Sequence, residues 1–304
     1  MTIGELAIER YPFGLAAAAI ISVSAQAHAQ EDTVASGIAS RDAASGGATD
    51  VAHSGFEAAE VAPEEDKNAR ELSLSLGGLA SAGNSRSLAV TGGSKLRIRE
   101  NNDQFNLAAA ANFARSAAED GDPMATTVEN YQARTRYDRF LGKGVAAFLA
   151  ASARRDRFQG LDLRLNVDPG FAYYFLDNNQ TQLWTELGYD LQYDVRSDEV
   201  LAVAEEEGAT EELDKTNVRH SGRLYLGYEA DLSGVVSVGS GIEYLQGVPE
   251  TRYWRLNWDG GVTSSLSGRF SIANTVSVKY DHVPLPGVVN TDVTTSVSLV
   301  YKLL

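Results

Sequence analysis

The chain has 304 residues, 22% of them charged, and a formal net charge of -15 at pH 7. This length suffices for one large β domain or for two ordinary domains. No basic cluster accompanies the acidic balance, which argues against nucleic acid as a partner, because phosphate neutralisation needs clustered Lys and Arg. The absence of Cys excludes disulfides, a thiol nucleophile and a Cys-based zinc site.

The first 29 residues have the features of an export signal. An apolar stretch from Phe13 to Val23 leads to Ala27-His28-Ala29, which is a small-x-small cleavage pattern. We therefore predict a signal peptide over residues 1–29. No later stretch approaches the roughly 18 consecutive apolar residues that a transmembrane helix needs.

Residues 30–69 are rich in Ala, Gly, Ser, Asp and Glu. They lack the density of aromatic and β-branched residues that builds a core. We predict a disordered, acidic periplasmic linker over this range.

From residue 70 onward, apolar and polar residues alternate with a period of two, which is typical of strands with one apolar face. The segment 181–195, TQLWTELGYDLQYDV, is mainly Leu and Tyr at odd positions and mainly acidic or amide at even positions. Its length exceeds that of an ordinary strand. We predict twelve strands, at 71–82, 86–99, 103–117, 126–140, 144–157, 160–176, 180–196, 216–231, 234–247, 251–266, 268–282 and 290–303.

The connections between these strands are sorted by length. Those after even-numbered strands are short, such as LGKG and LSG, whereas those after odd-numbered strands tend to be longer, such as residues 197–215. This sorting is typical of bacterial outer-membrane barrels. Lipid offers no hydrogen bonds, so a membrane-spanning sheet must close on itself. The sequence therefore predicts an all-β fold, a single antiparallel transmembrane β-barrel of about twelve strands over residues 70–304.

Aromatic residues on the apolar face fall near both ends of the strands, as expected of two interfacial girdles. Near the short turns are Phe105, Tyr137, Phe175, Tyr228, Phe270 and Tyr301. Near the long loops are Phe113, Tyr131, Tyr193, Tyr244, Trp254 and Tyr280. We predict a location in the outer membrane of a Gram-negative bacterium. The expected partners are outer-membrane lipids including lipopolysaccharide, the barrel-insertion machinery and small solutes.

Two stretches carry a family resemblance. ARRDRFQGLDLRLNVDPGFAYYF (153–175) resembles the central signature of the salt-stress-induced outer-membrane protein family, and 155–162 is its most specific part. VPLPGVVNTDVTTSVSLVYKL (283–303) is similar to that family's last loop and strand. The Gly83-Asn84 step resembles its first hairpin. The resemblance covers roughly residues 70–304 and implies an outer-membrane barrel of unassigned function. It supplies no catalytic or ligand-binding residues.

Charged residues recur on the polar face of the strands, which would point into the barrel. Bases and acids are nearly balanced there, which favours ion pairs across the lumen over a ring of one sign. Barrels of about 8 strands are filled by side chains and those of about 16–18 hold an open channel. Twelve strands leave two possibilities, a narrow charge-lined passage or a closed polar core. The predicted lumen-lining residues are Lys95, Arg97, Arg134, Arg136, Arg154, Arg164, Asp168, Glu186, Asp190, Arg219, Arg223, Glu229, Glu243, Arg255, Asp259 and Lys279.

Three arginines, Arg115, Arg155 and Arg157, fall on the outer face or rim near the long loops. Guanidinium groups pair well with phosphate, so these residues are candidates for anchoring lipid headgroups, although simple snorkelling to water is an equal alternative. The acidic stretch 197–215 lacks the ligand spacing of a calcium loop, so we expect it to be solvated and mobile.

The predicted function is a narrow passive pore or an envelope-structure protein, without enzymatic activity, cofactor or metal. One alternative is an outer-membrane lipid-modifying hydrolase using His220 or His282 near the rim, although no Ser motif supports it. Another is a soluble periplasmic ligand-binding barrel, whose apolar face would point inward.

Overall fold

The computed structural model describes residues 68–81, 86–117, 123–142, 144–178, 180–206, 213–284 and 289–303. The predicted signal peptide and nearly all of the predicted linker lie outside these residues. The strands are β1 (Asn68–Ser81), β2 (Arg86–Glu100), β3 (Asp103–Ala117), β4 (Ala125–Gly142), β5 (Val145–Asp156), β6 (Leu161–Asp177), β7 (Thr181–Arg196), β8 (Thr216–Ser233), β9 (Val236–Gly247), β10 (Trp254–Ser265), β11 (Phe270–Asp281) and β12 (Thr291–Lys302).

The twelve strands form one closed antiparallel barrel. Each strand pairs with its neighbours in sequence, and β1 closes the sheet against β12, with Ser73 opposite Lys302 and Leu76 opposite Leu299. Closure pairs the two strands that would otherwise be edges. The even strand count brings the start of β1 and the end of β12 to the side of the short connections. We call this side the turn end and the opposite side the loop end. The predicted twelve-stranded barrel is confirmed.

The alternating sequence pattern becomes the two faces of the barrel wall. On β7, Leu187 is 69% exposed, whereas the adjacent Glu186 has no exposed surface. On β6, Phe171 is 61% exposed and Ala172 is buried. Because the wall is a single sheet, side chains buried on the alternate parity lie inside the barrel. The outer surface is thus apolar along the middle of the strands, and the polar residues face inward.

The outer face carries exposed aromatic residues at both ends. Phe105, Tyr137, Phe175, Tyr228 and Phe270 are exposed near the turn end. The corresponding exposed residues near the loop end are Phe113, Tyr131 and Tyr193. Trp254, which is half-buried, packs between Tyr244 and Tyr280 at the same end, with ring centroids 6.2 Å and 4.9 Å apart.

A helix, α1 (Asp198–Glu206), begins the connection between β7 and β8. The Ser197 hydroxyl accepts a hydrogen bond from the Val200 backbone N–H at 3.3 Å, which is an N-cap. Val200 and Ala204 are buried. The prediction of a solvated, mobile loop over 197–215 is therefore wrong for this part, because the helix has an apolar side that packs on the barrel. No helix in the described ranges is long and apolar enough to cross a bilayer.

The turn between β5 and β6 accommodates α1. Gly160 has φ +66°, and a Cβ atom there would lie 2.6 Å from the Cβ of Val200. The Gly160 carbonyl accepts a hydrogen bond from the Ser197 N–H at 2.8 Å. The register shifts next to Leu161, on both its β5 and β7 sides, so Leu161 is buried rather than lipid-facing as its parity predicts.

Candidate functional site in the barrel interior

Glu186 lies at the centre of a buried ion network. Its Oε1 accepts a hydrogen bond from Arg136 Nη1 at 2.9 Å, and its Oε2 accepts one from Arg223 Nη1 at 2.6 Å. The side chains of Glu186 and Arg136 have no exposed surface, and that of Arg223 is 1% exposed. A carboxylate that bridges two guanidinium groups away from water gains strongly from charge-assisted hydrogen bonds, which offset the cost of burying the charges.

The network extends in both directions from this bridge. Arg136 Nε donates to both carboxylate oxygens of Asp138, at 2.9 Å and 3.1 Å. Arg223 Nε donates to Glu243 Oε1 at 2.6 Å, and Asn257 Nδ2 donates to Glu243 Oε2 at 2.7 Å. The interior is therefore crossed from β4 to β10 by a continuous chain of polar side chains. This central network consists of Asp138, Arg136, Glu186, Arg223, Glu243 and Asn257.

Five buried aromatic side chains lie inside the barrel beside the central network. Tyr174 stacks on Trp184 with ring centroids 6.3 Å apart. The ring centroids of Trp184 and Tyr225 are 6.1 Å apart. The Arg136 guanidinium carbon lies 4.1 Å from the Phe148 ring centroid, which is a cation–π contact. This inner aromatic cluster fills the interior with apolar volume that the strand pattern alone does not reveal. Its members are Phe140, Phe148, Tyr174, Trp184 and Tyr225.

The rings of the inner aromatic cluster lie against glycines of neighbouring strands. A Cβ atom at Gly170 would lie 2.5 Å from the Phe148 ring, and one at Gly227 would overlap the Trp184 ring. Gly241 leaves similar room for Tyr225. Inward-facing glycines therefore let the rings lie flat along the wall, because the wall has no side chains at those points.

The loop-end half of the interior holds further ion pairs of the predicted lumen-lining residues. Arg164 donates to both oxygens of Asp194, at 2.7 Å and 2.8 Å. Arg255 Nη2 lies 3.4 Å from Asp190, whose other oxygen accepts a hydrogen bond from Asn166 at 2.6 Å. The same half contains two more pairs, Arg134 with Asp168 at 3.7 Å and Arg154 with Asp156 at 2.6 Å.

The remaining predicted lumen-lining residues are more scattered. Arg97 pairs with Glu71 at 3.2 Å across β1 and β2. Arg219 stacks on Tyr253 with its guanidinium carbon 4.7 Å from the ring centroid. Asp259 is buried. Three others are partly exposed: Lys95, Glu229 and Lys279.

The inner aromatic cluster is the part of the interior that sequence reasoning missed. A signal for it exists, because Phe148 pairs directly with Gly170 and Trp184 pairs directly with Gly227 across adjacent strands. An aromatic residue on the polar parity opposite a glycine on the next strand indicates a ring lying on the inner wall.

The three arginines predicted to contact lipid headgroups are all exposed at the loop end. Arg115 Nη2 donates to the Met124 carbonyl at 2.7 Å. Arg157 lies 3.7 Å from Glu129 and 3.9 Å from Glu199. Arg155 makes no side-chain hydrogen bond or ion pair within the described ranges. Of the three, Arg155 has the guanidinium group that is most available to an external anion.

The two rim histidines have aromatic partners. His220 Nδ1 is hydrogen-bonded to the Tyr189 hydroxyl. His282 stacks on Trp254 with centroids 5.0 Å apart, and its Nδ1 lies 3.3 Å from the Tyr280 hydroxyl. In the part of the chain that the structure describes, neither imidazole hydrogen-bonds a Ser hydroxyl, and no group of three His, Asp or Glu side chains is arranged to hold a metal ion.

A family model described as "Protein of unknown function, DUF481" matches residues 74–303, which is almost the whole barrel. The chain belongs to the DUF481 family. The membership assigns no activity, and the resemblance to the salt-stress-induced family stays a prediction. No protein of curated function matches the chain.

Among solved structures, this DUF481 member is similar to several barrels at low identity. The NanC porin has a TM-score of 0.47 and 10% identity, over 77% of this chain and 100% of that one. An outer membrane channel from Pseudomonas putida F1 has a TM-score of 0.42 and 10% identity, covering 80% and 100%. The CymD monoaromatic hydrocarbon channel has a TM-score of 0.40 and 9% identity, covering 88% and 98%.

Proposed function

We propose that this protein spans the outer membrane of a Gram-negative bacterium and forms a narrow passive channel. The apolar outer wall, the exposed aromatic residues at both ends and the closed sheet support the membrane location. They also favour it over the soluble periplasmic barrel, whose apolar side chains would be buried inside. The proposed lipid partners include lipopolysaccharide, and the barrel-insertion machinery would place the chain in the membrane.

The burial of the central network is the main support for a narrow passage through the barrel. Arg136 and Glu186 are shielded from water by their neighbours, although they extend into the interior from β4 and β7. The inner aromatic cluster fills the part of the interior next to these two residues, and its Phe148 ring lies against Arg136. A twelve-stranded barrel with this much side-chain volume inside leaves room only for small solutes or ions.

A second candidate function is an envelope-structure barrel that does not conduct. The complete burial of Asp138, Arg136 and Glu186 favours it, because a conducting pathway needs water beside its lining groups. The two candidates share the fold and differ in whether a continuous water path passes the central network.

Single-channel recording of the purified full chain in planar bilayers tests the proposal. We expect small, stable conductance steps from the wild-type protein. The double variant Arg136→Ala, Glu186→Ala removes the ion pair between these two residues and their contacts with Asp138 and Arg223, and it should give larger steps. Leu187→Ala, on the outer face next to Glu186, is the matched control and should conduct like the wild type. Absence of conductance in all three proteins would overturn the channel and leave the structural barrel.

The membrane location has its own test. The chain should fractionate with outer membranes and migrate faster on a gel before heating than after, since folded barrels resist unfolding by detergent. Recovery in the soluble periplasmic fraction would contradict the proposal.

A further inference from the structure

Several arginines point into the loop-end half of the interior. Four of its arginines are matched by carboxylates, namely Arg134 by Asp168, Arg154 by Asp156, Arg164 by Asp194 and Arg255 by Asp190. Two more, Arg196 and Arg219, make no ion pair with any carboxylate in the described part of the chain. Arg196 ends β7, and Arg219 lies on β8 opposite Gln192.

Arg196 is only 8% exposed and incompletely paired. Its Nη1 donates to the Asp214 backbone carbonyl at 2.9 Å. Its Nε is buried and has no hydrogen-bond acceptor among the residues that the structure describes. A buried guanidinium without a counter-charge is costly, because desolvation is not offset by an ion pair. An anion at this position would offset that cost.

Arg219 is more accessible and is held by an aromatic ring. Its guanidinium carbon lies 4.7 Å from the centroid of Tyr253. Arg252 lies at the same distance from this ring and donates from Nη2 to the Tyr253 hydroxyl at 2.8 Å. Stacking fixes the plane of the Arg219 guanidinium and leaves its N–H groups without a carboxylate acceptor among the described residues.

Three acidic side chains lie near these two arginines without forming an ion pair with either of them: Asp194 and Asp214 near Arg196, and Asp194 and Asp281 near Arg219. Asp194 accepts two hydrogen bonds from Arg164 and a third from Gln192 Nε2 at 2.8 Å. Asp281 accepts the Val283 backbone N–H at 3.0 Å. Within the described residues, neither guanidinium is in direct contact with a carboxylate, so both can still form an ion pair with a small anion.

We propose that Arg196 and Arg219 form an anion-binding site just inside the loop-end mouth, with Tyr253, Arg164 and Arg255 around it. Guanidinium groups present paired N–H donors that match the oxygens of a carboxylate or a phosphate. The ligand class is therefore small soluble oxyanions that bear one of these groups. Their passage through the barrel rests on the proposed channel function, whereas their binding does not.

Calorimetric titration of the full chain in a neutral detergent tests binding, with succinate and inorganic phosphate as separate probes. We expect saturable binding of at least one probe by the wild type. Arg219→Gln should weaken it by about tenfold or more, since a charged hydrogen-bond donor is lost. Arg196→Gln should do the same. Arg70→Gln, which removes an equal charge from the exposed turn end, is the matched control and should bind like the wild type.

The outcomes separate this site from the channel. Binding without bilayer conductance would overturn the channel and keep the site. Conductance without saturable binding, or equal affinity in the wild type and Arg219→Gln, would overturn the site. Arg219 is partly exposed, so Arg219→Gln remains a usable variant if the more buried Arg196→Gln does not fold, and the heat-dependent gel shift reports folding of each variant.

Discussion

Arg136 on β4 extends past β5 and β6 to donate a hydrogen bond to Glu186 on β7 at 2.9 Å. This contact spans part of the barrel interior rather than following the wall. It ties strands that are not neighbours in the sheet, so it adds a constraint that backbone pairing does not provide.

Removing Glu186 should destabilise the barrel strongly. Glu186→Ala leaves the guanidinium groups of Arg136 and Arg223 without their shared carboxylate in a buried site. Breaking a buried ion pair by deleting one partner costs about 3–5 kcal/mol of unfolding free energy. Urea titration of the barrel folded in micelles, followed by Trp fluorescence, measures the change.

The matched control for this prediction is Glu250→Ala. Glu250 pairs with Arg252 at 3.5 Å on the exposed loop-end rim, where both side chains are more than half exposed. An exposed pair of this kind contributes at most about 1 kcal/mol. Equal destabilisation by the two substitutions would show that the central network contributes no more to the free energy of unfolding than an exposed ion pair does.

Gly227 should resist enlargement because the Trp184 ring lies against it. Gly227→Val places a side chain where the ring packs, so the ring must move toward the middle of the barrel. Overpacking of this kind costs about 1–3 kcal/mol of unfolding free energy. Near-ultraviolet circular dichroism should also change, since Trp184 loses its packing on Tyr174 and Tyr225.

Gly222, on the same strand, provides the comparison for Gly227. A Cβ atom at Gly222 would have no neighbour within 4 Å. Gly222→Ala should therefore leave the near-ultraviolet spectrum and the stability close to those of the wild type. If Gly227→Val also left the spectrum and the stability unchanged, the packing of the Trp184 ring would not require a glycine at position 227.

Gly160→Val should detach α1 from the barrel. The new side chain would occupy the position of Val200, and the backbone at φ +66° disfavours a β-branched residue. We expect proteolysis within residues 197–215 to become faster while the barrel stays intact. Gly234→Ala, at a turn where a Cβ meets no neighbour within 4 Å, should leave the cleavage rate unchanged. Unchanged cleavage in Gly160→Val would contradict the role given to this glycine.

The hydrogen bond from the Lys215 ammonium to Asp198, the first residue of α1, should depend on pH. We call this hydrogen bond the tether. A hydrogen bond to Asp198 raises the pKa of Lys215 above its usual value of 10.5. The tether is therefore fully present at neutral pH and is lost only as the pH rises through this raised pKa. Proteolysis of the α1 segment should accelerate in that range. Lys215→Arg should keep the segment protected at higher pH, because guanidinium groups stay charged there.

The outer arginines should matter only where lipid phosphates are present. Changing Arg115, Arg155 and Arg157 together to Gln should lower the Tm in bilayers that contain lipopolysaccharide and leave it unchanged in neutral detergent. Arg70→Gln, on an exposed residue at the turn end, is the control and should have no lipid-dependent effect. Equal changes in both media would favour simple snorkelling.

Strand positions were predictable from the sequence because each strand must present one apolar and one polar face. For all twelve strands, the limits expected from the period-two pattern agree with the structure to within three residues. The pattern failed at Leu161, where bulges shift the register. It also failed at 198–206, where a short helix that buries Val200 and Ala204 has the composition of an acidic loop. The alternating pattern assigns each residue to the inner or outer face, but it does not predict the direction in which an inward-facing ring points. The packing of the inner aromatic cluster was therefore missed. The partners of Glu186 depend on distances across the interior, which no local pattern encodes.

The pairing of β1 with β12 has a consequence for how the molecule is made. Ser73 finds its partner, Lys302, at the opposite extreme of the barrel sequence, so the ring is completed only after every other strand exists. Until that moment two margins carry unsatisfied backbone groups that can recruit a foreign strand. A truncated chain that lacks β12 would therefore keep two open sheet edges and would tend to aggregate. Closure of the barrel depends on contacts between distant parts of the sequence, which form slowly.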